Sequence, residues 1–444
     1  MNLFTIAWKS IRQRALPSLL TSLNVALGVM LMVAVLVCAG VVNRAFSQKA
    51  IPYDLVIGPR GSALQLVLSS VYRIEPAIAK LPYNYLAELK KDKRITEAVP
   101  LVFGDFTKPE EGGFPIIGTT TGYFDMGVGP GIPFQIKGER IGGDFDAIIG
   151  SNVAAMNGWD LGAEFQLVHG GGEGGHVHDE TFKVVAILAP TQTANDKTVF
   201  IDIDGFFQIA GHEVKFDEVR TQLTQFWGSN SEKMASELAT LDALQKERAA
   251  APPDAHFHDT PDILKSLAAV LVRTRPNAPL DPINITAEMR NGYQAQAVNP
   301  VIIMQKLDKQ LIGWVKEVLL IMSILILIVS GVSIFVSIYN SMSDRRREIS
   351  IMRALGAPRS SVFSIILAES VLLCLIGGLL GLLLGHALVF IAAPIITAKT
   401  GLLLNPWAFE LTELIVFPFL FILAVIVGFL PALTAYRTDV AKNL

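Results

Sequence analysis

Ser343-Asp344-Arg345-Arg346-Arg347-Glu348-Ile349-Ser350-Ile351-Met352-Arg353-Ala354-Leu355-Gly356-Ala357-Pro358-Arg359 is a polar island between two uncharged runs, one ending near Met342 and one resuming at Val362. Runs of that length and character are long enough to cross a bilayer, so the island joins two membrane spans on one side of it. Its five arginines say which side. Basic residues in short loops stay cytoplasmic, so residues 343–360 are expected to form a loop in the compartment that holds ATP.

Working outward, residues 315–342 form the span before the island and residues 361–396 the span after it, the latter interrupted by Glu369 and His386. Residues 397–410 make a short outer loop, residues 411–436 a last span, and residues 437–444 a basic tail. At the other end, residues 1–14 carry Trp8, Lys9, Arg12 and Arg14 among apolar residues, the pattern of a helix lying in the membrane interface. Residues 15–43 then hold no charge and read as the first span. The inner segments collect Lys9, Arg12, Arg14, Arg345, Arg346, Arg347, Arg353, Arg359, Arg437 and Lys442, whereas the short outer loop has only Lys399. Both termini are therefore expected in the cytoplasm, and residues 44–310 outside it.

Composition agrees with this plan: 51% of residues are hydrophobic and the mean hydropathy is +0.45. A net charge of -3 gives no sign of nucleic-acid binding, and the arginines cluster where topology alone would put them. Cys38 and Cys374 both fall in apolar runs, which excludes a disulfide framework for the region outside the spans.

The fold class expected is a membrane protein of four transmembrane α-helices, with a large extracytoplasmic α+β domain between spans 1 and 2. Ile51 to Ser62 reads as a strand ending in a turn, and Ala63 to Val71, too short to cross a membrane, as either a buried helix or an apolar surface near the bilayer that could meet a lipid-like substrate. Strand-like pieces follow at Phe114–Gly118, Ala147–Gly150, Glu164–His169, Thr181–Leu188, Thr198–Ile203 and Ala268–Thr274. Residues about 217–262 look like a helical insertion, with Met234, Leu238, Leu241 and Leu244 at helical spacing. A helix from about Asn299 leads back to the membrane.

Within the island, Glu348, Ile351, Met352 and Leu355 fall along one side of a helix, giving an amphipathic rod expected to lie parallel to the membrane. Apolar residues in a cytoplasmic link need something to bury them. Gly356 ends the rod and Pro358 opens the next helix. The run from Glu348 to Ala357 resembles the signature of MacB/FtsX-type ABC transporter permeases, as do the four-span plan and the tail Pro431-Ala432-Leu433-Thr434-Ala435-Tyr436-Arg437.

That resemblance implies a non-catalytic permease subunit of a bacterial inner membrane. It implies work as a dimer with a cytoplasmic ATPase, into whose groove Arg347, Glu348, Ile351, Met352, Arg353, Leu355 and Gly356 would dock. ATP-driven closure would pass through the spans to the outer domain, for export or extraction of a periplasmic or membrane-associated substrate. The likeness also points to a periplasmic binding or adaptor protein and to membrane lipid as further partners. The sequence contains no Gly-x-x-x-x-Gly-Lys-Ser/Thr phosphate loop, so no ATP is expected on this chain and hydrolysis is expected elsewhere.

Gly377, Gly381 and Gly385 recur every four residues, a spacing that lets another helix approach closely, either in the same bundle or across a dimer. Glu369, an intramembrane carboxylate, reads as a structural group near the cytoplasmic end of its span. Six of the seven histidines lie in the outer domain, four of them in His176-Val177-His178-Asp179 and His256-Phe257-His258-Asp259. In extended chain, residues two apart face the same way, so each motif could offer two imidazoles and a carboxylate to zinc or copper, with His169 and His212 as spare candidates. A membrane-tethered extracytoplasmic metal-binding protein or metalloenzyme is the alternative function, although no His-Glu-x-x-His helix supports it.

Overall fold

With no charge between Ala15 and Asn43, the chain after its amphipathic first helix α1 (Leu3–Gln13) forms one long helix, α2 (Ala15–Ala45). The computed structural model describes residues 3–45, 51–74, 79–170, 175–209, 211–228, 230–251, 260–292, 294–307, 309–310, 313–400, 409 and 411–436. The chain divides into a membrane unit and a domain inserted between the first and second spans.

The domain opens with β1 (Leu55–Pro59) and α3 (Ala63–Ser70), whose first turn is capped by the Ser62 hydroxyl accepting from the Gln65 amide. Next come β2 (Leu81–Pro82), α4 (Tyr85–Lys91), β3 (Ile95–Phe106), β4 (Pro115–Thr119) and α5 (Gly122–Met126). The middle holds β5 (Ile136–Gly138), β6 (Asp146–Ile149), α6 (Ser151–Asn157), β7 (Glu164–His169), β8 (Val177–Leu188) and β9 (Val199–Asp202). Helices α7 (Ile203–Gln208), α8 (Phe216–Trp227) and α9 (Ser231–Ala250) follow. The domain closes with β10 (Ser266–Leu267), β11 (Ala269–Thr274), α10 (Asp281–Asn291), β12 (Ala295–Val298) and α11 (Pro300–Leu307).

Ten strands form one mixed sheet in the order β12-β1-β11-β3-β4-β9-β6-β8-β5, with β7 joined to β3 and β8. Neighbouring residues along the strands go to different cores. Ile116, Ile149 and Ile201 enter one cluster, while Ile117, Ile148 and Phe200 enter another. Period-two alternation with both sets buried means that the sheet is covered on both faces. Tyr85, Leu89, Leu223, Phe226, Trp227 and Leu241 cover one face; Leu66, Tyr123, Phe124 and Val301 contribute to the other. The region read as a helical insertion is thus a layer of the core: α8 and α9 supply Leu223, Phe226, Trp227 and Leu241 to it.

Close backbone approaches fix parts of this domain. A Cβ at Gly150 would stand 2.2 Å from the Asn195 carbonyl oxygen and 2.4 Å from that of Asp196. Main chain cannot swing aside as a side-chain tip does, so Gly150→Ala should cost about 2–3 kcal/mol. A melting temperature lowered by roughly 5 °C in thermal unfolding checks this.

Arg94 ties the start of β3 to α10, its Nη2 lying 2.7 Å from both Asp92 Oδ2 and Glu288 Oε2. Hydrogen bonds from the guanidinium hold both carboxyls below the usual carboxylate range. A depressed carboxyl stabilises the fold above its unfolded value, and that contribution is lost as pH falls through the folded one. Arg94→Ala should therefore lower the urea midpoint at pH 7 and narrow its drop between pH 7 and pH 3, the exposed pair making the effect small.

In the membrane unit the remaining helices are α12 (Gly313–Ala354), α13 (Arg359–Thr400) and α14 (Val416–Tyr436). With α2 they make, among the described residues, four helices long and apolar enough to cross a membrane. Val25, Val29, Val33 and Val37 of α2 form a ridge at every fourth position, packed in a common core with Leu327, Ile334, Ile366, Cys374, Leu420 and Ala424. The glycines at 377, 381 and 385 lie against that ridge. Their Cβ atoms would meet Val25, Val29 and Val33 in turn, at 2.7, 2.5 and 2.8 Å. Glu369 is buried in α13.

The expected cytoplasmic loop at residues 343–360 is corrected by the structure. Helix α12 continues from the second span through Ala354, so the segment is neither a loop nor a separate rod, and only Leu355–Pro358 breaks the helix before α13. The reason is chemical: between Met342 and Gly356 there is no glycine or proline to end a helix.

Candidate functional site

The end of α12 is built by a glycine turn. The Ala357 amide donates to the Met352 carbonyl and the Gly356 amide to the Arg353 carbonyl, both at 3.0 Å, with Gly356 at φ +99°. This is a Schellman closure, which places a left-handed residue where a side chain would be strained. Around the last turns the helix splits by face. Ile349 and Ser350 are buried and Met352 packs against the membrane core, whereas Ile351 is 44% exposed and Leu355, four residues on, is 83% exposed. Arg353 is half-buried. Arg347 and Glu348 lie on α12, and their side chains fall outside the described residues.

The second constellation is in the domain. Asp105 near the end of β3 and His169 at the end of β7 are directly paired across the antiparallel ladder, so both side chains project from the same face. The β7–β8 hairpin brings in His178, and the segment between α7 and α8 brings in His212. One donor atom from each of Asp105, His169, His178 and His212 lies within 4.8 Å of all the others. Asp105, His178 and His212 are buried, while the His169 side chain is 60% exposed. His169 Nδ1 is 2.9 Å from Asp105 Oδ1, and His212 Nδ1 donates to the Phe206 carbonyl at 2.8 Å. Burial pushes the His178 imidazole below its ordinary pKa, partly offset by the Asp105 charge. This set of nitrogen and oxygen donors could hold a metal ion.

The expected motifs contribute unequally. His176 and His178 do face one way, with ring centroids 5.6 Å apart, but of the two only His178 joins the cluster. Asp179 alternates to the other face of β8 and is exposed, which corrects its assignment as a ligand. His256, His258 and Asp259 lie outside the described residues. His169 and His212, the spare candidates, are central. Asp105 was missed; the available signal was a carboxylate in a strand that otherwise supplies Val99, Leu101 and Val102 to the core.

A family model for the MacB-like periplasmic core domain matches residues 18–247, and one for the FtsX-like permease C-terminal region matches residues 320–440. The first alone covers over half of the 444 residues. The chain is a MacB/FtsX-type ABC permease. As such it is a multi-pass protein of the bacterial inner membrane with four spans and a large α+β domain outside them.

Among curated relatives of this permease, the macrolide export ATP-binding/permease protein MacB of Photorhabdus laumondii is 32% identical over 159 residues, which are 35% of this chain and 23% of that protein. An ABC transporter permease of Methanocaldococcus jannaschii is 24% identical over 269 residues, 60% of this chain and 56% of that one. The matched region thus spans about a quarter of that MacB relative's length. The solved periplasmic region of MacB from Actinobacillus actinomycetemcomitans aligns with 59% of this chain and 94% of its own, at 11% identity and a TM-score of 0.30.

Proposed function

We propose that this permease transmits ATP-driven motion from a cytoplasmic ATPase on a separate chain to its extracytoplasmic domain, for export or extraction of a periplasmic or membrane-associated substrate. The observation that carries this reading is the pair Ile351 and Leu355, large apolar side chains one helical turn apart, exposed at the end of α12 where arginines mark the cytoplasmic side. Helix-in-groove docking uses such i, i+4 anchors, and the glycine turn at 356 presents them at a helix end. Arg347, Glu348, Met352 and Arg353 complete the docking segment. On this reading the chain is the moved part and performs no catalysis itself.

Both termini are cytoplasmic, and the permease acts as a homodimer with a periplasmic binding or adaptor protein and membrane lipid as further partners; the charge asymmetry of the short loops and the family membership support this. Any metal link, through zinc or copper, belongs to the Asp105, His169, His178 and His212 cluster. The test is co-purification of the ATPase with the full-length permease, wild type against Ile351→Asp and Leu355→Asp. Retention of the ATPase by the doubly substituted permease would sink the docking assignment.

A further inference from the structure

We infer that Asp105, His178 and His212 form a buried zinc site closed by His169, the solvent-facing ligand at which the ion enters and leaves. This goes beyond the transport reading and does not depend on it. The argument begins with a tautomer. A carbonyl oxygen can only accept, so the His212 Nδ1 facing Phe206 carries the proton, and in the neutral ring Nε2 presents a lone pair. That Nε2 stands 2.9 Å from Asp105 Oδ2, without the geometry of a hydrogen bond.

With the ring neutral, these two acceptors in buried contact repel each other unless a positive centre lies between them. A proton shared along the line would show as a hydrogen bond; a metal ion set to one side satisfies both atoms. His178 Nε2 approaches the same carboxylate oxygen at 3.8 Å. All three atoms, Asp105 Oδ2, His178 Nε2 and His212 Nε2, are buried with no hydrogen-bond partner among the described residues. Buried polar groups are seldom left so, and three converging on one point call for a common partner.

The spacing suits zinc. Tetrahedral ligands held at about 2.0–2.1 Å from the ion stand about 3.3 Å from one another, so a cluster whose donors already lie within 4.8 Å closes by side-chain movement alone. The donor chemistry agrees. Calcium and magnesium take oxygen ligands, and copper(I) favours the sulfur of Cys or Met, whereas three imidazoles and a carboxylate suit zinc. The Phe206 carbonyl, holding Nδ1 of His212, is the outer partner that such a ligand needs to fix its orientation.

The experiment uses the full-length protein in detergent, stripped with a chelator and titrated with zinc against a chromophoric competitor. One equivalent per chain is expected. Asp105→Asn, His178→Gln and His212→Gln should each weaken binding at least 100-fold, the upper end of what loss of an outer partner costs, and His169→Gln by about tenfold. His176→Gln should change it by less than about twofold, since that residue contributes no donor to the set. Melting of each metal-free variant checks folding, and X-ray absorption on the wild type reads the shell independently, with three imidazoles and one oxygen expected.

Absent or substoichiometric zinc, binding that survives His212→Gln, binding lost with His176→Gln, or a shell containing sulfur would each overturn the site. So would uptake of copper(II) with no uptake of zinc. None of these readouts involves ATPase association, so the site and the docking assignment fail separately.

Discussion

Leu355→Asp combined with Ile351→Asp reduces the ATPase recovered with the permease by about 30-fold or more. The two side chains are exposed, so substitution leaves the membrane core intact, whereas any groove that covers them must then desolvate a carboxylate. Loss of a well-packed apolar anchor costs about 2 kcal/mol, or about 30-fold in affinity, and an uncompensated charge adds to that. Met156→Asp, at an exposed position of the outer domain, serves as the control and should leave recovery unchanged. Equal recovery from both proteins would move the contact away from the end of α12. Intact membrane insertion of the double variant, read by protease accessibility, separates lost docking from lost folding.

Gly381→Ala should destabilise the membrane unit by about 2–3 kcal/mol, and Gly381→Leu should prevent recovery of folded protein. A Cβ at 381 would lie 2.5 Å from the Val29 Cβ and 2.6 Å from the Ala26 carbonyl oxygen, atoms fixed to the α2 backbone. Gly378 is the informative comparison. Its Cβ would meet only the Cδ1 tip of Leu420, at 2.6 Å, which a rotamer change can withdraw. Gly378→Ala should therefore cost less than about 1 kcal/mol. Thermal aggregation of the detergent-solubilised protein ranks the variants. A Gly381→Ala protein of unchanged stability but altered oligomeric state would instead assign the glycine face to a contact between copies.

The uncharged runs made the spans legible because few residues other than those of a membrane helix stay apolar for so long. The strands from Glu164 to His169 and from Ala269 to Thr274, and the helix from Ser231 to Ala250, were equally readable, since apolar period and turn residues there agree. The helix at Glu348 to Leu355 and its stop at Gly356 were legible, but its continuity with the preceding span was not, for a physical reason. A change from apolar to charged residues alters what surrounds a helix and not whether the backbone continues, so α12 runs on to the first breaker.

The glycine spacing announced a close approach, but only tertiary structure shows that α2 makes it. For the histidines, period-two geometry placed His176 and His178 on one face, yet the group that gathers His169, His178 and His212, Asp105, is 64 residues from His169 and paired to it by strand register. Local spacing carries no record of such a partner. Only its chemistry, a charge among buried aliphatic residues, could have drawn attention to it.

The uninterrupted course of α12 also sets a phase. Each residue turns a helix by about 100°, so the bearing of Ile351 and Leu355 relative to the span above them is fixed by residue count alone. One residue inserted between Asn340 and Arg345 would swing that apolar face about 100° around the axis, while seven would return it to within about 20° of its starting direction and add about 10 Å of length. A jointed loop would absorb either change. In this helix, angular position at Ala354 and at Gly313 are one quantity, so under the proposed transmission twist would be as available as thrust.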